Sequence, residues 1–349
     1  MSHSMPLFSV IPGEVISILI QQNRGRLVDI VRATYLDHEL GKTINPDSYF
    51  LRFEDKPSSR IIALPAALTG NTRLSGIKWI ASYPDNIQHN LPRASATLIL
   101  NQYDTGYPYA CLEASLISAA RTAASAALAA NVLGSGQRHA RKIAVIGAGI
   151  IARNVLEFLI DQDWRADQLA VFDQNPQDAT RLARHGHDLA GYYSVVSASL
   201  QDVLEGADLV VLATTASTPY ITETDTFKPG QLILNISLRD IAPELVMAAN
   251  NVVDDVEHCM KANTSPHLAE QKYQTRSFVN GTLAQVITGG VMLDSNKPTL
   301  FSPFGLGVLD LAVGQFVYEQ ATATNQAHQI PGFFAETRRW ADKEAGNAK

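Results

Sequence analysis

Three small residues, Gly147, Gly149 and Ala152, follow an apolar run in the segment KIAVIGAGIIAR. This order is typical of a strand, a tight turn and a helix. We expect Gly147 to permit the turn. Gly149 should let the backbone approach a pyrophosphate at the helix N-terminus, where free N–H groups and the helix dipole favour an anion. Ala152 still allows close packing of helix on strand, so the spacing predicts a nucleotide-binding turn.

The next strand-like run, QLAVFD, ends at Asp173. A carboxylate at that position can accept both ribose hydroxyls of an adenosine and repels a 2′-phosphate, so we expect NAD as the cofactor. The alternative is a doubly wound domain that binds another nucleotide or none. Further cofactor contacts are expected in the first turn of the helix and after the later strands, at Ile150, Ile151, Thr214, Thr215 and Ser237.

Three charged residues could act on a substrate beside such a cofactor. Lys78 lies near the end of a short strand, and Arg121 lies in an Ala-rich helix, where a charge is costly unless it is paired or solvated. Asp240 follows the strand LILNIS, at the strand end where doubly wound folds bind ligands. The structural alternatives are a solvated strand end for Lys78, an ion pair between domains for Arg121, and a helix cap near Pro243 for Asp240.

Other candidates carry weaker signals. Arg52, Arg60 and Arg93 can join a carboxylate clamp, because the guanidinium group matches a carboxylate with two hydrogen bonds, although each can equally be a surface residue. His185 and His187 have no further ligands at metal spacing, so we expect no metal site.

The bulk properties restrict the class of protein. The chain has 349 residues, of which 46% are hydrophobic and 18% charged, with a net charge of −6. The absence of a basic run argues against nucleic acid as a partner. Two cysteines without metal or disulfide spacing favour a reducing compartment. The N-terminus has no basic segment typical of a signal peptide, and we expect no membrane span, hence a cytoplasmic protein.

The pattern of elements predicts an α/β protein. Residues 1–40 have helical periodicity, residues 46–108 consist of short strand-like runs separated by turns, and an Ala-rich helix follows. Alternating strands and helices then predict a doubly wound parallel sheet, and the chain is expected to be helical again from Ser265 to about Gln320. We expect a Rossmann domain (121–314) inserted into an α+β substrate and dimerisation domain (1–120 plus 315–349), with the substrate in the cleft between them.

Several segments together resemble the ornithine cyclodeaminase/mu-crystallin family over nearly the whole chain. They are GIKW followed by PDN, EASLISAARTAA, GAGIIA, the D-x-x-x-E-L segment that starts at Asp240, and FGLGVLDLAVGQFVY. The resemblance implies that Lys78 contacts the substrate, Arg121 binds its carboxylate and Asp240 is catalytic. It also implies a homodimer, an NAD cofactor and a small amino-acid substrate.

Within this family the chain is most similar to the subgroup that oxidises N-(2-amino-2-carboxyethyl)-L-glutamate with NAD. That subgroup releases L-2,3-diaminopropionate and 2-oxoglutarate for siderophore or antibiotic precursors. Arg52 and Arg93 would then bind an additional carboxylate. True cyclodeaminases have a different pattern after the lysine, whereas Lys78 is followed by Trp79 and Ile80. The alternatives are ornithine cyclodeamination, another imine reduction, and a non-catalytic crystallin-like protein that binds the nucleotide.

Overall fold

The computed structural model describes residues 7–134 and 136–335. In chain order, its first part consists of strand β1 (Ser9–Ile11), helices α1 (Gly13–Gln22) and α2 (Arg24–Glu39), strands β2 (Thr43–Ile44), β3 (Tyr49–Phe53), β4 (Lys56–Thr69), β5 (Arg73–Ser82), β6 (Ala94–Gln102) and β7 (Pro108–Glu113), and helix α3 (Ser115–Leu133). Strands β3 to β7 pair antiparallel in sequence order, which confirms the strand-like runs predicted for residues 46–108.

The second part is a parallel sheet with helices between its strands. In chain order it consists of β8 (His139–Ile146), α4 (Ile150–Asp161), β9 (Arg165–Phe172), α5 (Pro176–Ala190), β10 (Tyr193–Val196), α6 (Leu200–Leu204), β11 (Leu209–Leu212), β12 (Leu232–Asn235), α7 (Pro243–Ala248), β13 (Asn250–Val253), α8 (Val256–Cys259), α9 (Ser265–Tyr273), β14 (Val279–Thr282), α10 (Leu283–Ile287) and β15 (Thr299–Ser302). The strand order β10-β9-β8-β11-β12-β15-β13-β14 is doubly wound about β8, as predicted.

The predicted helical character of residues 265–320 is wrong in two places. Strands β14 and β15 lie in this stretch, and β15 pairs on one side with β12 and on the other with β13. Both strands are only four residues long. An apolar run of that length cannot be distinguished from a buried helix by periodicity, and its partners are distant in sequence.

The last part of the chain returns to the first sheet. Helix α11 (Gly307–Ala323) packs on β4, β5 and β6, and β16 (His328–Gln329) pairs antiparallel with β1, which itself pairs parallel with β7. The Rossmann unit is therefore inserted into an α+β unit. The expected domain boundaries, after residues 120 and 314, fall within helices α3 and α11. We propose that the chain re-enters the α+β unit at Gly307, where α11 begins. Of the expected second segment of that unit, residues 336–349 lie outside the described chain.

Helix α3 connects the two units. It is long and apolar enough to cross a membrane by length and composition, although no membrane span is expected from the sequence. Most of it is buried, and it packs against α2, α4 and α11. A helix that is apolar on nearly every side is expected where neighbours surround it. Its alanines allow that close packing, and we therefore assign α3 to the common core.

Candidate active site

Lys78 is a buried cation in the middle of β5. Its side chain is 2% exposed and points toward α11, where Nζ donates to Asp310 Oδ2 at 2.6 Å. Nζ also donates to Ser118 Oγ on α3 at 3.0 Å. Burial lowers the pKa of Lys78 to about 8, and the negative charge of Asp310 opposes this shift. The alternative of a solvated strand end is therefore wrong, and Lys78 can change its protonation state near neutral pH.

Arg121 lies beside Lys78 because Asp310 holds both cations. Its Nε donates to Asp310 Oδ1 at 3.2 Å, and its side chain is 13% exposed. Within the described chain, no hydrogen bond joins either terminal guanidinium nitrogen to another residue. Two cations around one carboxylate leave a net positive charge, and the free end of Arg121 is a donor pair that fits a substrate carboxylate.

The loop between β15 and α11 forms a wall against Arg121. Gly305 in this loop has a φ of +93°, and a Cβ atom there would overlap the Arg121 guanidinium group. The buried Asp254, directly after β13, fixes the loop. It accepts the N–H of Phe304 at 2.9 Å and that of Gly305 at 2.7 Å. The loop thus packs closely against the guanidinium group and leaves no room for a side chain at residue 305.

Asp310 and Asp254 were not selected from the sequence. Asp310 is completely buried within the apolar helix GVLDLAVGQFVYEQATA. A carboxylate in such a helix requires a buried cation, which is the same signal that singled out Arg121. A charge within an apolar helix is thus the sequence signal for Asp310 in α11 as well as for Arg121 in α3. The two opposite charges together suggest an ion pair between these helices.

Asp240 lies at the carboxyl end of β12 among hydroxyl groups. It accepts from Ser237 Oγ at 2.6 Å, from Tyr220 OH at 2.9 Å and from Thr214 Oγ1 at 2.9 Å. Burial raises the pKa of Asp240, and the three hydroxyl donors oppose the rise. The capping alternative is wrong, because the N-cap of α7 is Ala242. No described hydrogen bond joins Asp240 to Lys78 or Arg121.

The glycine turn has the expected geometry for a nucleotide. Gly147 has a φ of +89°, and a Cβ there would lie 2.6 Å from Ala213 O, so a side chain is excluded. Gly149 is the N-cap of α4 without a side-chain cap, and a Cβ there would meet open space. Free N–H groups therefore face an open surface, and these residues fit a pyrophosphate.

The other expected cofactor contacts lie around this turn. Asp173 Oδ2 accepts the N–H of Ala148 at 2.7 Å, which places its carboxylate at the turn, where it can meet a ribose. Ile150 is 48% exposed in the first turn of α4, with Ile151 next to it. Thr215 is exposed, whereas the hydroxyls of Thr214 and Ser237 are bonded to Asp240.

The arginines expected in a carboxylate clamp lie near one another on the first sheet. Arg52 pairs with Arg60 across β3 and β4, and Arg60 pairs with Ser82 on β5. Arg93 donates from Nη1 to Ser82 Oγ at 2.8 Å. Residues directly opposite in neighbouring strands share a face. Lys78 is four residues from Ser82 along β5, so Arg60 and Lys78 point to the same side of the sheet.

The two histidines considered for a metal have other partners. His185 Nε2 bonds to Glu157 at 2.9 Å and His187 Nδ1 to Tyr192 O at 3.1 Å. Over residues 7–134 and 136–335, no group of three His, Cys, Asp or Glu side chains is arranged to hold a metal ion.

The chain matches known proteins over most of its length. The model of the ornithine cyclodeaminase/mu-crystallin family matches residues 14–325. The N-((2S)-2-amino-2-carboxyethyl)-L-glutamate dehydrogenase of Staphylococcus aureus is 30% identical over 308 residues, which cover 85% of this chain and 90% of the relative.

Solved structures agree in fold. An archaeal alanine dehydrogenase dimer with bound NAD has a TM-score of 0.83 at 26% identity, covering 94% of this chain and 100% of that one. The Δ1-pyrroline-2-carboxylate reductase of Thermococcus litoralis, in complex with NADH and L-proline, has a TM-score of 0.85 at 23% identity, covering 93% and 100%. The predicted Rossmann unit and its α+β partner are thereby confirmed.

Proposed function

The chain belongs to the ornithine cyclodeaminase/mu-crystallin family, and from this premise we propose that it oxidises N-(2-amino-2-carboxyethyl)-L-glutamate with NAD. The products are L-2,3-diaminopropionate and 2-oxoglutarate. The observation that carries the proposal is the group formed by Lys78, Asp310 and Arg121, which presents a free guanidinium end to a carboxylate. The relative from Staphylococcus aureus, named for this substrate, supports the choice.

The first task of the site is to hold the α-carboxylate of the glutamate half. Arg121 donates through its terminal nitrogens, and protonated Lys78 adds a second charge from the sheet side. Asp310 keeps both cations in place and limits their mutual repulsion. This grip fixes the adjacent Cα–H in one direction, and fixed orientation contributes strongly to rate. Bound NAD, held by Gly147, Gly149 and Asp173, supplies the hydride acceptor.

The second task is proton transfer during hydrolysis of the oxidised substrate. Loss of the Cα–H hydride turns the secondary amine into an iminium ion, which water attacks to give a carbinolamine and then the amine and keto acid. We propose Asp240 as the base for this water. Asp240 is completely buried, so the proton passes through a bonded hydroxyl, and Tyr220, 37% exposed, offers the most open route. Such assistance contributes about 10²–10⁴-fold to rate.

The experiment is to add NAD and N-(2-amino-2-carboxyethyl)-L-glutamate to the purified protein and to measure NADH and 2-oxoglutarate. Equal amounts of both support the proposal. Arg121→Ala should raise KM strongly, and Asp240→Asn should lower kcat. Wild-type turnover in Asp240→Asn would contradict the role of that carboxylate. Proline and ammonia formed from ornithine in a parallel sample would instead identify a cyclodeaminase, and NADH binding without turnover of either compound would favour a non-catalytic protein.

We also propose that the protein is a homodimer that associates through the first sheet. The face of this sheet opposite Lys78 carries exposed apolar side chains, with Tyr49 71%, Leu51 47% and Trp79 43% exposed. A cluster of large exposed apolar residues on one face is typical of an interface. Sedimentation of wild type and of Trp79→Lys tests this, since the variant should sediment as a monomer. A monomeric wild-type protein would contradict the proposal.

A further inference from the structure

Four arginines from both units form what we call the arginine cluster: Arg52, Arg60, Arg93 and Arg239. Arg52 and Arg60 lie on the cross-strand row that includes Ser82, and Arg93 donates to the hydroxyl of Ser82. Arg239 comes from the Rossmann unit, directly before Asp240. Its Nη2 donates to Ala262 O at 3.0 Å, while its Nε is buried and has no hydrogen-bond partner in the described chain. A buried donor without a partner is unfavourable and indicates a missing acceptor.

The charges of the cluster act on one another. The pKa of Arg60 is lowered first by burial and then by the positive charges of Arg93, Arg52 and Arg239. In the described part of the chain, no salt bridge joins any of the four to a carboxylate; Arg52 instead lies over the ring of Phe50, 5.2 Å from its centroid. The positive charge of Arg239 lowers the pKa of the neighbouring Asp240, but Asp240 takes its hydrogen bonds from hydroxyl groups.

Like charges held together without an acid destabilise a folded protein. Such an arrangement is explained when an anion binds between the charges, because guanidinium groups bind carboxylates with strong, directed hydrogen bonds. Since Arg60 belongs to the first sheet and Arg239 to the Rossmann unit, the anion would contact both sides of the cleft.

The distance between Lys78 and the row of Arg52, Arg60 and Ser82 indicates how long a molecule must be to contact both. Lys78 and Ser82 are four residues apart on one face of β5, and a strand rises about 3.3 Å per residue, so the row lies roughly 13 Å from Lys78. The row and Lys78 are therefore too far apart to hold the same carboxylate, but they lie on the same face of the sheet and can hold two carboxylates of one elongated molecule.

We propose that the arginine cluster binds a second carboxylate of the substrate and thereby draws the two units together across the cleft. This inference rests on the proposed function for the position of the first carboxylate, at Lys78 and Arg121. It makes dicarboxylic amino acids and their N-substituted derivatives the substrate class. Amino acids with one carboxylate, such as alanine or proline, leave the cluster without an anion and are poor substrates.

The test measures binding without turnover. Glutarate and valerate, which share a five-carbon chain but differ in one carboxylate, are titrated calorimetrically into the protein with NADH. Glutarate should bind at least about 10-fold more tightly than valerate. Arg60→Gln and Arg239→Gln should each weaken glutarate binding about 10-fold and leave valerate unchanged. The control is Arg73→Gln, at the opposite end of β5, where Arg73 is exposed and lies over Tyr103.

Equal binding of the two acids, or glutarate binding that neither variant weakens, overturns the proposal. Thermal unfolding without ligand separates a binding role from a structural one. Removal of one repelling charge should leave Tm unchanged or raise it, whereas a clear decrease in both variants would assign the arginines to structure and overturn the inference. If glutarate binding depends on the cluster but N-(2-amino-2-carboxyethyl)-L-glutamate is not oxidised, the proposed function fails and the cluster stands. If Arg60→Gln and Arg239→Gln both oxidise N-(2-amino-2-carboxyethyl)-L-glutamate with normal kcat/KM, the inference about the arginine cluster fails and the proposed function stands.

Discussion

Replacing Asp310 by asparagine should destabilise the protein most in acid and hardly at all in base. Asp310 is completely buried, and its carboxylate holds the ammonium group of Lys78 at 2.6 Å and the guanidinium group of Arg121 at 3.2 Å. Asparagine keeps the shape and removes the charge. Removing one partner of a buried pair usually costs about 3–5 kcal/mol, because a buried charge is left without compensation.

Lys78 limits this loss because it can release its proton. In the wild type its pKa is about 8, so deprotonating it in the folded state at pH 7 costs roughly 1 kcal/mol, the equivalent of one pH unit. The destabilisation that arises from Lys78 in Asp310→Asn is therefore limited to roughly 1 kcal/mol at pH 7. By the same relation the limit is about 4 kcal/mol at pH 5 and near zero at pH 9. Arg121 adds less, since its side chain reaches solvent.

The sign follows from proton counts. Without Asp310, folded Lys78 binds fewer protons than in the wild type while the unfolded chain is unchanged, so the variant gains stability relative to the wild type as pH rises toward 8. Urea unfolding of both proteins at pH 5, 7 and 9 measures the difference. The double variant Lys78→Met/Asp310→Asn lacks the amine and should lose this pH dependence. A difference in unfolding free energy that is constant with pH would refute the reasoning.

Three further outcomes are expected. Gly305→Ala should raise the KM for the amino acid about 10-fold or more with unchanged NAD binding, because the new Cβ overlaps the Arg121 guanidinium. Steady-state kinetics in which each substrate is varied in turn measures both effects. A parallel rise in the KM for NAD would contradict this expectation. Asp173→Asn should weaken NAD binding about 10-fold while NADP binding changes less, as measured by fluorescence titration, since the carboxylate favours ribose hydroxyls and repels a 2′-phosphate. The KM for the amino acid should rise above about pH 8, where Lys78 loses its charge, and a flat pH profile would exclude this contribution.

The sequence predicted the ends of the site better than its centre. Gly147 and Asp173 predict a nucleotide-binding turn from the sequence, because few residue types fit the backbone conformation and the ribose contact that such a turn requires. Lys78 and Arg121 were found, but the carboxylate that joins them is separated from both by most of the chain. Asp310 carries the same signal as Arg121, a charge within an apolar helix, but the distances that join it to Lys78 and Arg121 follow only from the fold.

The fold shows the same division between local and distant information. Strands β3 to β7 were predicted because neighbouring strands follow each other in sequence with short turns. β15 was missed although it lies in the middle of the Rossmann sheet, because four residues carry little periodicity and both neighbouring strands precede it by many residues. The pairing of β1 with β16, near opposite ends of the described chain, likewise follows from no local pattern.

Strand β15 and helix α11 are synthesised after most of the elements that they join. A chain emerging from the ribosome has made β12, β13 and β14 before Thr299, yet β13 joins β12 only through β15. The first sheet likewise waits for α11, and until residue 310 is synthesised Lys78 has no counter-charge. The Rossmann sheet is therefore incomplete until β15 is made, and the first unit is incomplete until α11 is made, so a chain stopped before residue 299 would expose apolar strand faces in both. The segment that begins at Thr299 thus completes both units, first the Rossmann sheet through β15 and then the first unit through α11.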